Sequence, residues 1–565
     1  MSPLRRFPRI FSVGPELLKP NSLAKVPTAD LFTKLGFFTH PKPGLVHWLP
    51  LGTSVLDKLT SIIHRHMRNS GAEEVRMSAL SPAALWQQTG RWTGTELFKL
   101  HDSSGSEYCL AATCEEDITA VAAAQIASYK SLPLLYYQIN TKFRDEKRPR
   151  AGLLRGREFI MKDAYSFDVS PEAAMESYEE MVAAYHRVFS ELRVPYVKAE
   201  ASTGDIGGSL SHEWQYVHPS GEDTLFRCTG CDAVLNVEKT LSFPAEDPAN
   251  GKAGGPVSVE YFVTDDKNTL VCAYFLSDRT LLPNLLQDEV PEIDLKCGLT
   301  QDQILALFSG EDALLSKNVI RVMDLRLHSR SNFPDFPIKF VSRALITTLT
   351  DIPIVEAVHG EICGQCSEGV LESSRAIEVG HTFYLGEKYS KPLQCTVSVP
   401  GNDGTLETVN AFMGCYGIGV SRLIAAIGEI NRDLMGFRWP ACIAPWSATV
   451  INASTDFSKS ERVVSELHDA GVDVRCDDRE GLGLGRKIKE TKLVGIPLVV
   501  IVGKNFPIVE VEIRGKKYND LWKSLFAQDS EGWEVEYLED GTSDIKHKVH
   551  IERLGSVVAS LLKDM

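Results

Sequence analysis

The chain has 565 residues, of which 43% are hydrophobic and 24% charged, and its formal net charge is −15. This length allows several domains with separate cores, and no apolar run approaches the ~18 residues of a membrane-spanning helix, so we expect neither helical spans nor a membrane partner. The 12 cysteines, spread along so long a chain, exclude a small disulfide-stapled module and favour a reducing compartment.

The N-terminal 26 residues are predicted to be a transit segment. Arg5, Arg6 and Arg9 precede the first acidic residue, Glu16, and the segment lacks the long apolar core of a secretory signal. A basic, acid-free start that contains Ser and Phe is typical of organelle targeting. We therefore predict that residues 1–26 direct the protein to the mitochondrial matrix; a disordered basic tail on a cytoplasmic protein is the alternative.

Two strands and a helix are predicted in the first third of the chain. Residues 51–69 carry apolar side chains at helical spacing. Residues 135–143 (LYYQINTKF) and 158–168 (EFIMKDAYSFD) are rich in β-formers. Pro149 and Gly152 interrupt regular structure between them, so we expect two antiparallel strands joined by a long loop.

This loop is strongly basic for an acidic chain. The stretch FRDEKRPRAGLLRGREF, residues 143–159, contains the basic side chains of Arg144, Lys147, Arg148, Arg150, Arg155 and Arg157. An arginine can hold a phosphate through two hydrogen bonds, and the ring of Phe159 can stack on a base. The stretch therefore indicates nucleotide binding, with a solvated charged hairpin as the alternative.

The C-terminal part of the chain is predicted to be a separate α/β domain. Residues 244–256 (PAEDPANGKAGGP) predict a linker, and a new pattern begins after Pro445. Strands and helices alternate there, with predicted positions near 447–453, 458–470, 472–476, 486–494 and 497–503. The pattern indicates a domain of about 120 residues.

A glycine-rich turn, MGCYGIGVSR at 413–422, precedes the helical sequence LIAAIGEI. Its glycines let the backbone pack closely at the start of a helix and place Arg422 in the first turn. Its spacing differs from a dinucleotide-binding fingerprint, so by itself the turn is weak evidence for a nucleotide site.

Together these stretches resemble class II aminoacyl-tRNA synthetases. FRDE at 143–146 with REF at 157–159 resembles motif 2, and GIGVSR at 417–422 resembles motif 3. Within that class the chain resembles the bacterial-type prolyl-tRNA synthetase family, in its mitochondrial form. The blocks that carry the resemblance are, in order, WLPLG (48–52), LWQQTGRW (85–92), TCEE (113–116), YQINTKFRDE (137–146), REFIMKDAYSFD (157–168), GGSLSHEW (207–214), EVGHTFYLGEKYS (378–390) and MGCYGIG (413–419).

The resemblance implies an α+β multidomain fold. It consists of a class II catalytic domain (an antiparallel sheet with flanking helices), an inserted α/β region and a C-terminal α/β anticodon-binding domain. The implied boundaries are 27–242 for the first part of the catalytic domain with motifs 1 and 2, 243–362 for the insertion, 363–445 for the second part with motif 3, and 446–565 for the anticodon-binding domain.

The family reaction joins proline and ATP into prolyl-adenylate plus pyrophosphate and then passes the prolyl group to the 3′ end of tRNA(Pro), with Mg²⁺ bridging the ATP phosphates. The resemblance implies that Arg144 holds the α-phosphate and Arg422 the γ-phosphate, as the catalytic pair. It further implies Glu146, Arg155 and Phe159 as ATP-binding residues, and Thr113, Glu115, Glu213 and His381 as proline-binding residues.

The resemblance also implies two macromolecular contacts. Motif 1, whose place is taken by residues 71–82, implies a homodimer, although Met77-Ser78 stands where relatives usually have Met-Pro. The C-terminal domain is expected to bind tRNA(Pro) through a helix that carries Arg486, Lys487, Lys489 and Lys492. A solvated helix face is the alternative for each of these cations.

The insertion at 243–362 faintly resembles the family's editing domain, which removes alanine attached in error. The family's catalytic lysine falls on Glu260, and its Gly-x-x-x-Pro loop is not visible at 308–320. We therefore predict a degenerate insertion without alanine editing. Editing is needed elsewhere because a smaller amino acid enters the pocket, and each missing methylene gives only ~1–3 kcal/mol of rejection.

Two cysteine pairs flank the insertion, Cys228 with Cys231 and Cys363 with Cys366. Two such knuckles are the ligand pattern of a structural zinc site with four thiolates, which would tie the two ends of the insertion together. A reduced remnant without metal is the alternative.

Two other functions stay open at this point. One is a class IIa synthetase for threonine, histidine or glycine, against which the TCEE and EVGHTFYLG blocks argue. The other is a non-catalytic synthetase-like RNA-binding subunit. Such a subunit would be expected to lose the nucleotide-binding arginines, yet Arg144 and Arg422 are both present.

Overall fold

In the computed structural model the chain divides into two compact units. The first combines Met1–Pro195 with Tyr384–Met565, and the second is Tyr196–Phe383. None of the helices among the described residues is long and apolar enough to cross a bilayer. The structure describes residues 6–8, 13–19, 21–126, 128–150, 152–245, 255–310, 317–327, 332–338, 345–400, 405–453, 456–537 and 544–565.

The described elements are helices and strands, with two long runs of strands, β9–β15 and β16–β22, in the middle of the chain. The helices are α1 Thr28–Lys34, α2 Pro50–Asn69, α3 Ala83–Gln88, α4 Glu115–Gln125, α5 Pro171–Glu191, α6 Pro283–Glu289, α7 Gln301–Ala306, α8 Val420–Ile430, α9 Phe457–Asp469, α10 Leu484–Val494, α11 Leu521–Gln528 and α12 Ile551–Asp564. The strands are β1 Phe38–Thr39, β2 His47–Trp48, β3 Glu73–Glu74, β4 Leu80–Pro82, β5 Lys99–His101, β6 Glu107–Leu110, β7 Leu134–Phe143, β8 Glu158–Asp168, β9 Val197–Glu200, β10 Leu210–Val217, β11 Asp223–Cys228, β12 Val234–Asn236, β13 Ser242–Phe243, β14 Val257–Val263, β15 Thr269–Leu276, β16 Asn318–Asp324, β17 Ile346–Ile352, β18 Ile362–Cys363, β19 Leu371–Gly386, β20 Thr396–Pro400, β21 Leu406–Asn410, β22 Phe412–Gly419, β23 Ala448–Asn452, β24 Val474–Asp477, β25 Leu498–Val502, β26 Ile508–Ile513, β27 Trp533–Tyr537 and β28 Asp544–His550.

In the first unit, strands β22, β8, β7 and β3 lie side by side in that order. β7 and β8 are antiparallel from the pair Leu134↔Phe167 to the pair Phe143↔Glu158, which confirms the two predicted strands. β8 and β22 are also antiparallel, so motifs 2 and 3 lie on neighbouring strands. Helices α5 and α8 pack against β8, and α2, which covers the predicted helix, packs on both.

The end of the first unit forms a six-stranded sheet in the order β24-β23-β25-β26-β28-β27. β23 is parallel to both β24 and β25, and α9, α10 and α12 pack on this part of the chain. β23 and β25 are buried along their whole length, and β25 (LVVIV) is entirely apolar, as expected for parallel strands with both faces covered. The predicted alternation of strands and helices is confirmed here.

The second unit is wider than the predicted insertion at 243–362. Strands β10, β9, β12, β11 and β19 lie side by side in that order, and they come from residues that we assigned to the catalytic domain. In this group β9 pairs with β10 and β12, and β11 pairs with β12 and with the start of β19. The chain passes from the second unit to the first within β19.

The insertion contains its own four-stranded sheet, in the order β14-β15-β16-β17. β15, β16 and β17 are parallel, and β14 is antiparallel to β15. With α6 and α7 this is the expected inserted α/β region. Residues 246–254 of the predicted linker and 311–316 of the loop compared with the editing motif lie outside the described residues.

A buried ion network lies where the insertion joins its flanks. β13 pairs with β18 through Ser242↔Cys363. The guanidinium of Arg326, only 5% exposed, donates to both carboxylate oxygens of Glu361 at 3.0 Å and to the Ser242 hydroxyl at 2.8 Å. Burial alone would raise the pKa of Glu361, but hydrogen bonds from Arg326 and Arg279 lower it to about 2. Removing either Arg326 or Glu361 would therefore leave a buried charge without its partner, at a cost of about 3–5 kcal/mol.

The described parts of the N-terminal segment pack against the first unit. The Phe7 amide donates to the Cys476 carbonyl at 2.9 Å, which extends the sheet beyond its edge strand β24, and the Phe7 ring meets Trp446 edge-on at 5.3 Å. Arg432 donates to the carbonyls of Leu23 and Val26 at 2.8 Å. Residues 1–5, 9–12 and 20 lie outside the described residues, and the assignment of 1–26 as a transit segment stays a prediction.

Candidate active site

The motif 2 loop is held at both ends by backbone hydrogen bonds. Arg144 follows β7 directly, and its amide donates to the Arg157 carbonyl at 2.9 Å, which continues the strand pairing by one step. The Arg144 guanidinium lies over the ring of Phe159 at 5.3 Å. This is cation–π geometry, so the ring holds the guanidinium while the amide hydrogen bond holds the backbone of the same residue. Two of the predicted ATP-binding residues therefore form one surface.

Glu146 and Arg155 face each other across the loop. Nε of Arg155 lies 2.8 Å from Oε2 of Glu146, and Nε of Arg157 donates to the Glu146 carbonyl at 3.0 Å. Burial alone would raise the pKa of Glu146, but the hydrogen bond and charge of Arg155 lower it. Glu146 is therefore an ionised acceptor that is already engaged by a loop arginine, a pairing that the sequence did not predict.

Arg422 reaches the same loop from motif 3. It lies in the first turn of α8, and its Nε donates to the Leu154 carbonyl at 2.9 Å. The neighbouring Ser421 hydroxyl accepts from the Ile160 amide at 2.8 Å. The predicted glycine-rich turn is wrong, because residues Phe412–Gly419 form strand β22 and α8 begins directly after it. Gly414 lies within this strand, where a Cβ would lie 2.1 Å from the Tyr416 hydroxyl. The structure thus places both predicted catalytic arginines around one loop.

The TCEE segment places two carboxylates in the protein interior at the start of α4. Glu115 is 1% exposed and Glu116 fully buried. Nη1 of Arg91 donates to Glu115 Oε2 at 3.1 Å and to Glu116 Oε1 at 3.0 Å. Burial, opposed by Arg91 and reinforced by Glu115, raises the pKa of Glu116 to about 7. The Cys415 thiol donates to Glu115 Oε1 at 3.1 Å.

A second buried polar cluster fixes the TCEE segment to the sheet. Nζ of Lys142, on β7, lies 3.0 Å from Oδ2 of Asp163, on β8, and donates to the Cys114 sulfur at 3.0 Å. The Tyr165 hydroxyl donates to the same Asp163 oxygen at 2.9 Å and accepts from the Cys114 amide at 3.1 Å. The residues on either side of Cys114 are therefore held in place.

Two polar atoms in this region have no hydrogen-bond partner among the described residues. They are the hydroxyl of Thr113 and Oδ1 of Asp163, on side chains that are 7% and 2% exposed. Buried polar groups are nearly always satisfied, so such a pair is typical of a site that a polar ligand completes. The sequence reasoning selected Thr113 and missed Asp163. Gln138, Asn140 and Lys142, at alternating positions of β7, were the signal for this polar face.

Glu213 and His381 lie close together in the second unit. Nδ1 of His381 is 3.8 Å from Glu213 Oε1 and 3.4 Å from Glu378 Oε1. The Asn236 and Gln215 amides donate to Glu213 Oε2 at 2.7 and 2.8 Å. Burial and the charge of Glu378 raise the pKa of Glu213 to about 7, although His381 lowers it. That these residues share a cleft with Thr113 and Glu115 stays a prediction.

The four flanking cysteines converge. Their sulfur atoms all lie within 4.8 Å of one another, and those of Cys228 and Cys366 are 3.6 Å apart. Backbone amides of Gly230 and Gly369 donate to the Cys228 and Cys366 sulfurs at 3.3 Å. Four thiolates around one zinc at ~2.3 Å lie about 3.8 Å apart, so the donor set fits a tetrahedral zinc ion.

Most basic side chains of helix α10 in the C-terminal domain are paired within the domain and are less available for RNA than the sequence indicated. Nζ of Lys487 is buried and donates to the Asp477 carbonyl at 3.1 Å. Arg486 pairs with Glu490 at 2.8 Å, and Lys492 pairs with Glu512 at 2.7 Å. Three of the four cations of α10 are thus engaged within the domain, whereas Lys489 is exposed.

Residues 98–431 match the family described as the tRNA synthetase class II core domain (G, H, P, S and T). Residues 442–519 match the family described as the anticodon binding domain. The first match covers more than half of the chain, so the fold and site define a class II aminoacyl-tRNA synthetase. The predicted fold class is thereby confirmed.

Relatives narrow this class to one amino acid. The cytoplasmic proline–tRNA ligase of Candida albicans is 48% identical over 578 residues, covering 98% of this chain and 97% of that protein. The probable mitochondrial proline–tRNA ligase of Saccharomyces cerevisiae is 44% identical over 570 residues, covering 98% and 97%. The proline–tRNA ligase of Geotalea daltonii is 37% identical over 554 residues, covering 90% and 95%. The chain belongs to the proline–tRNA ligase family.

Solved structures share the fold. Prolyl-tRNA synthetase from Cryptosporidium parvum complexed with L-proline and AMP has a TM-score of 0.58 and 13% identity, covering 98% of this chain and 80% of that chain. The structure of the same enzyme with halofuginone and AMPPNP has a TM-score of 0.58, 13% identity and coverage of 95% and 76%. The alternatives of another class IIa synthetase and of a non-catalytic subunit are set aside by the full-length relatives.

Proposed function

We propose that this proline–tRNA ligase binds ATP between Arg144, Phe159 and Arg422 and activates proline there. The observation that carries the proposal is the convergence of two guanidinium groups and an aromatic ring on the motif 2 loop. Arginine suits phosphate oxygens because its planar fork donates two parallel hydrogen bonds, and an aromatic face suits the adenine ring.

The activation step needs charge stabilisation at the α-phosphate. An oxygen of the proline carboxylate attacks the α-phosphorus, a new O–P bond forms, and the bond to the β-phosphate oxygen breaks to release pyrophosphate. Arg144 neutralises the charge that builds up on the α-phosphate, and Arg422 holds the γ-phosphate. Mg²⁺ prefers oxygen ligands, which Arg144 and Arg422 do not have, so the ion would be held by the phosphate oxygens of ATP.

Glu146 and Arg155 complete the ATP site in this proposal. The ionised Glu146 carboxylate accepts a hydrogen bond from the adenine amino group, and Arg155, which is 2.8 Å away, keeps it ionised. The side chain of Arg155 is 46% exposed, so in this proposal it also contacts an ATP phosphate from the solvent side of the loop.

Proline binds, we propose, at the TCEE segment. Its secondary amine is cationic at neutral pH and suits the buried carboxylate of Glu115, while the unsatisfied Thr113 hydroxyl offers a hydrogen bond to a polar group of the substrate. Glu213 and His381 complete the proline site in this proposal. The prolyl group then passes from the adenylate to the 3′ end of tRNA(Pro), with the C-terminal domain on the anticodon and motif 1 in a homodimer.

The exchange of pyrophosphate into ATP tests this proposal directly. Purified protein is incubated with ATP, labelled pyrophosphate and either proline, alanine or cysteine. We expect exchange that depends on proline, with alanine and cysteine weaker because they fill the pocket less well. Equal exchange with all three amino acids, or none with proline, would contradict the proposal.

We further propose that the four cysteines bind a structural Zn²⁺. The amide-to-sulfur hydrogen bonds from Gly230 and Gly369 stabilise thiolates in the knuckle geometry. Because Cys363 lies on β18, which pairs with β13, the ion would tie the entry and exit of the insertion. Metal analysis of the purified protein is the test of this proposal.

The insertion is proposed to lack alanine editing. Glu260, on β14 and paired across from Ala273, stands where the family's catalytic lysine is expected. A carboxylate there cannot supply the ammonium group. We expect purified protein not to hydrolyse Ala-tRNA(Pro), measured by release of labelled alanine beside a bacterial editing enzyme as positive control. Release above the uncatalysed rate would contradict this prediction.

A mitochondrial location is proposed on the basic start and the relative named mitochondrial. The described residues of this segment, 6–8, 13–19 and 21–26, include buried apolar side chains. Phe7, Val13, Leu17 and Leu23 are all buried, and each buried apolar side chain contributes about 1.5–3 kcal/mol. We expect deletion of residues 1–26 to lower the melting temperature by several degrees, measured by thermal unfolding. Cell fractionation locates the full chain, and an unchanged melting temperature in the truncated protein would show that the segment is dispensable.

A further inference from the structure

The carboxylates of Glu115 and Glu116 are served by a single guanidinium. Among the described side chains, Arg91 is the cation within hydrogen-bonding reach of both, at 3.0–3.1 Å. Its Nη1 also lies 3.2 Å from the second oxygen of Glu116, and the Thr89 hydroxyl donates to Glu116 at 2.9 Å. When both carboxylates are ionised, the cluster carries two negative charges and one positive charge, so this buried site has a net charge of −1.

Arg91 is itself held rigidly. Its guanidinium lies 4.9 Å from the centre of the Trp86 ring and 5.6 Å from that of Tyr389, and only 15% of its side chain is exposed. Burial alone would lower the pKa of Arg91, but the charges of Glu115 and Glu116 outweigh it and raise that pKa. A permanently charged group between two rings can therefore fix the direction of both carboxylates.

We propose that Arg91 is a positioning residue for proline, which orients the Glu115 carboxylate and pairs with Glu116 so that the remaining negative charge selects a cationic secondary amine. This rests on the proposed role of Glu115 in proline binding. Glu116 and Arg91 contact neither the substrate nor ATP in this arrangement. A ligand amine supplies the missing positive charge, whereas an uncharged analogue of proline leaves the cluster uncompensated.

The groups that face Glu116 make proline binding depend on pH. They are Thr89 and Arg91, which directly follow α3, Glu115 on α4, and Cys109 and Tyr389 on neighbouring segments. Since the pKa of Glu116 is raised to about 7, the carboxylate is ionised above that pH and protonated below it. The cluster therefore loses negative charge as pH falls through 7, and proline binding weakens. The amine of proline stays protonated throughout.

The test compares Arg91→Met, Arg91→Lys, Glu115→Gln and Thr89→Val in the full-length enzyme, with Arg187→Met as a matched control. Arg187 is an arginine on α5 whose ion pair with Glu180 is exposed. In the exchange assay we expect Arg91→Met to raise the KM for proline at least about tenfold with the KM for ATP unchanged. Arg91→Lys should recover part of this loss, because it restores the charge but not the two-pronged geometry.

The pH dependence of proline binding distinguishes a positioning role of Arg91 from a general loss of stability in its variants. Without the guanidinium, the pKa of Glu116 rises further, so the midpoint of proline binding should move to higher pH in Arg91→Met and remain in place in Arg187→Met. If Glu115→Gln leaves proline binding intact, the proposed proline site is wrong. If Glu115→Gln weakens proline binding while both Arg91 variants and Thr89→Val match the wild type, the positioning role is overturned.

Discussion

Replacing Arg144 by alanine is expected to reduce proline-dependent ATP–pyrophosphate exchange by about 10³-fold. Arg144 is the side chain that the geometry places at the end of β7 over the Phe159 ring, where the α-phosphate is proposed to bind. Loss of that factor corresponds to ~4 kcal/mol of transition-state stabilisation. The measurement is the exchange rate at saturating proline and ATP.

The control for this experiment is Arg187→Ala, which removes a half-buried arginine from α5 outside the proposed site and should leave exchange unchanged. Melting temperature and mass in solution are measured for both variants, because the proposed homodimer must survive for the loss to be assigned to chemistry. Full exchange activity in a folded Arg144→Ala dimer would refute the assigned role.

Zinc at the cysteine knuckles is expected at about one equivalent per chain in protein purified without chelator. The double substitution Cys363→Ser with Cys366→Ser removes two of four ligands and should abolish the bound metal. Structural zinc contributes about 10 kcal/mol or more of apparent binding free energy in small zinc modules. We therefore expect a clear fall in melting temperature of the second unit, because the entry and exit of the insertion are no longer tied.

Cys297→Ser is the matched control, since Cys297 is a partly buried cysteine of the same unit that lies outside the cluster. Chelator should lower the melting temperature of the wild type and of Cys297→Ser, and should have no further effect on the double variant. Metal-free wild-type protein from zinc-supplemented cells, with a melting temperature equal to that of the double variant, would contradict the zinc proposal.

Part of the site was accessible from local sequence. Arg144 and Phe159 lie on or next to two strands whose β-forming composition predicted them, and the strand pairing then places the guanidinium over the ring. The CxxC spacing predicted that each cysteine pair would form one knuckle. In both cases the spacing along the chain is short, so backbone geometry alone brings the groups together.

The pairing of charges in the candidate site could not be predicted from local sequence. Arg91 and Glu115 are 24 residues apart, and neither residue type in isolation marks a buried ion pair. The same holds for Lys487 and Arg486, which looked like an RNA-binding face but pair with carboxylates inside the domain. The sequence alone does not show whether the partner of a lysine or arginine is a phosphate or a carboxylate that is distant along the chain.

By itself the sequence determined the class of enzyme, the paired motif 2 strands and the α/β character of the C-terminal domain, because each depends on periodicity or on an ordered motif. Only the tertiary structure decided that Arg422 reaches the Leu154 carbonyl, 268 residues away in the chain, and that Asp163 joins Lys142 beneath the TCEE segment. Such contacts follow from which strands become neighbours, and that depends on the packing of the whole core.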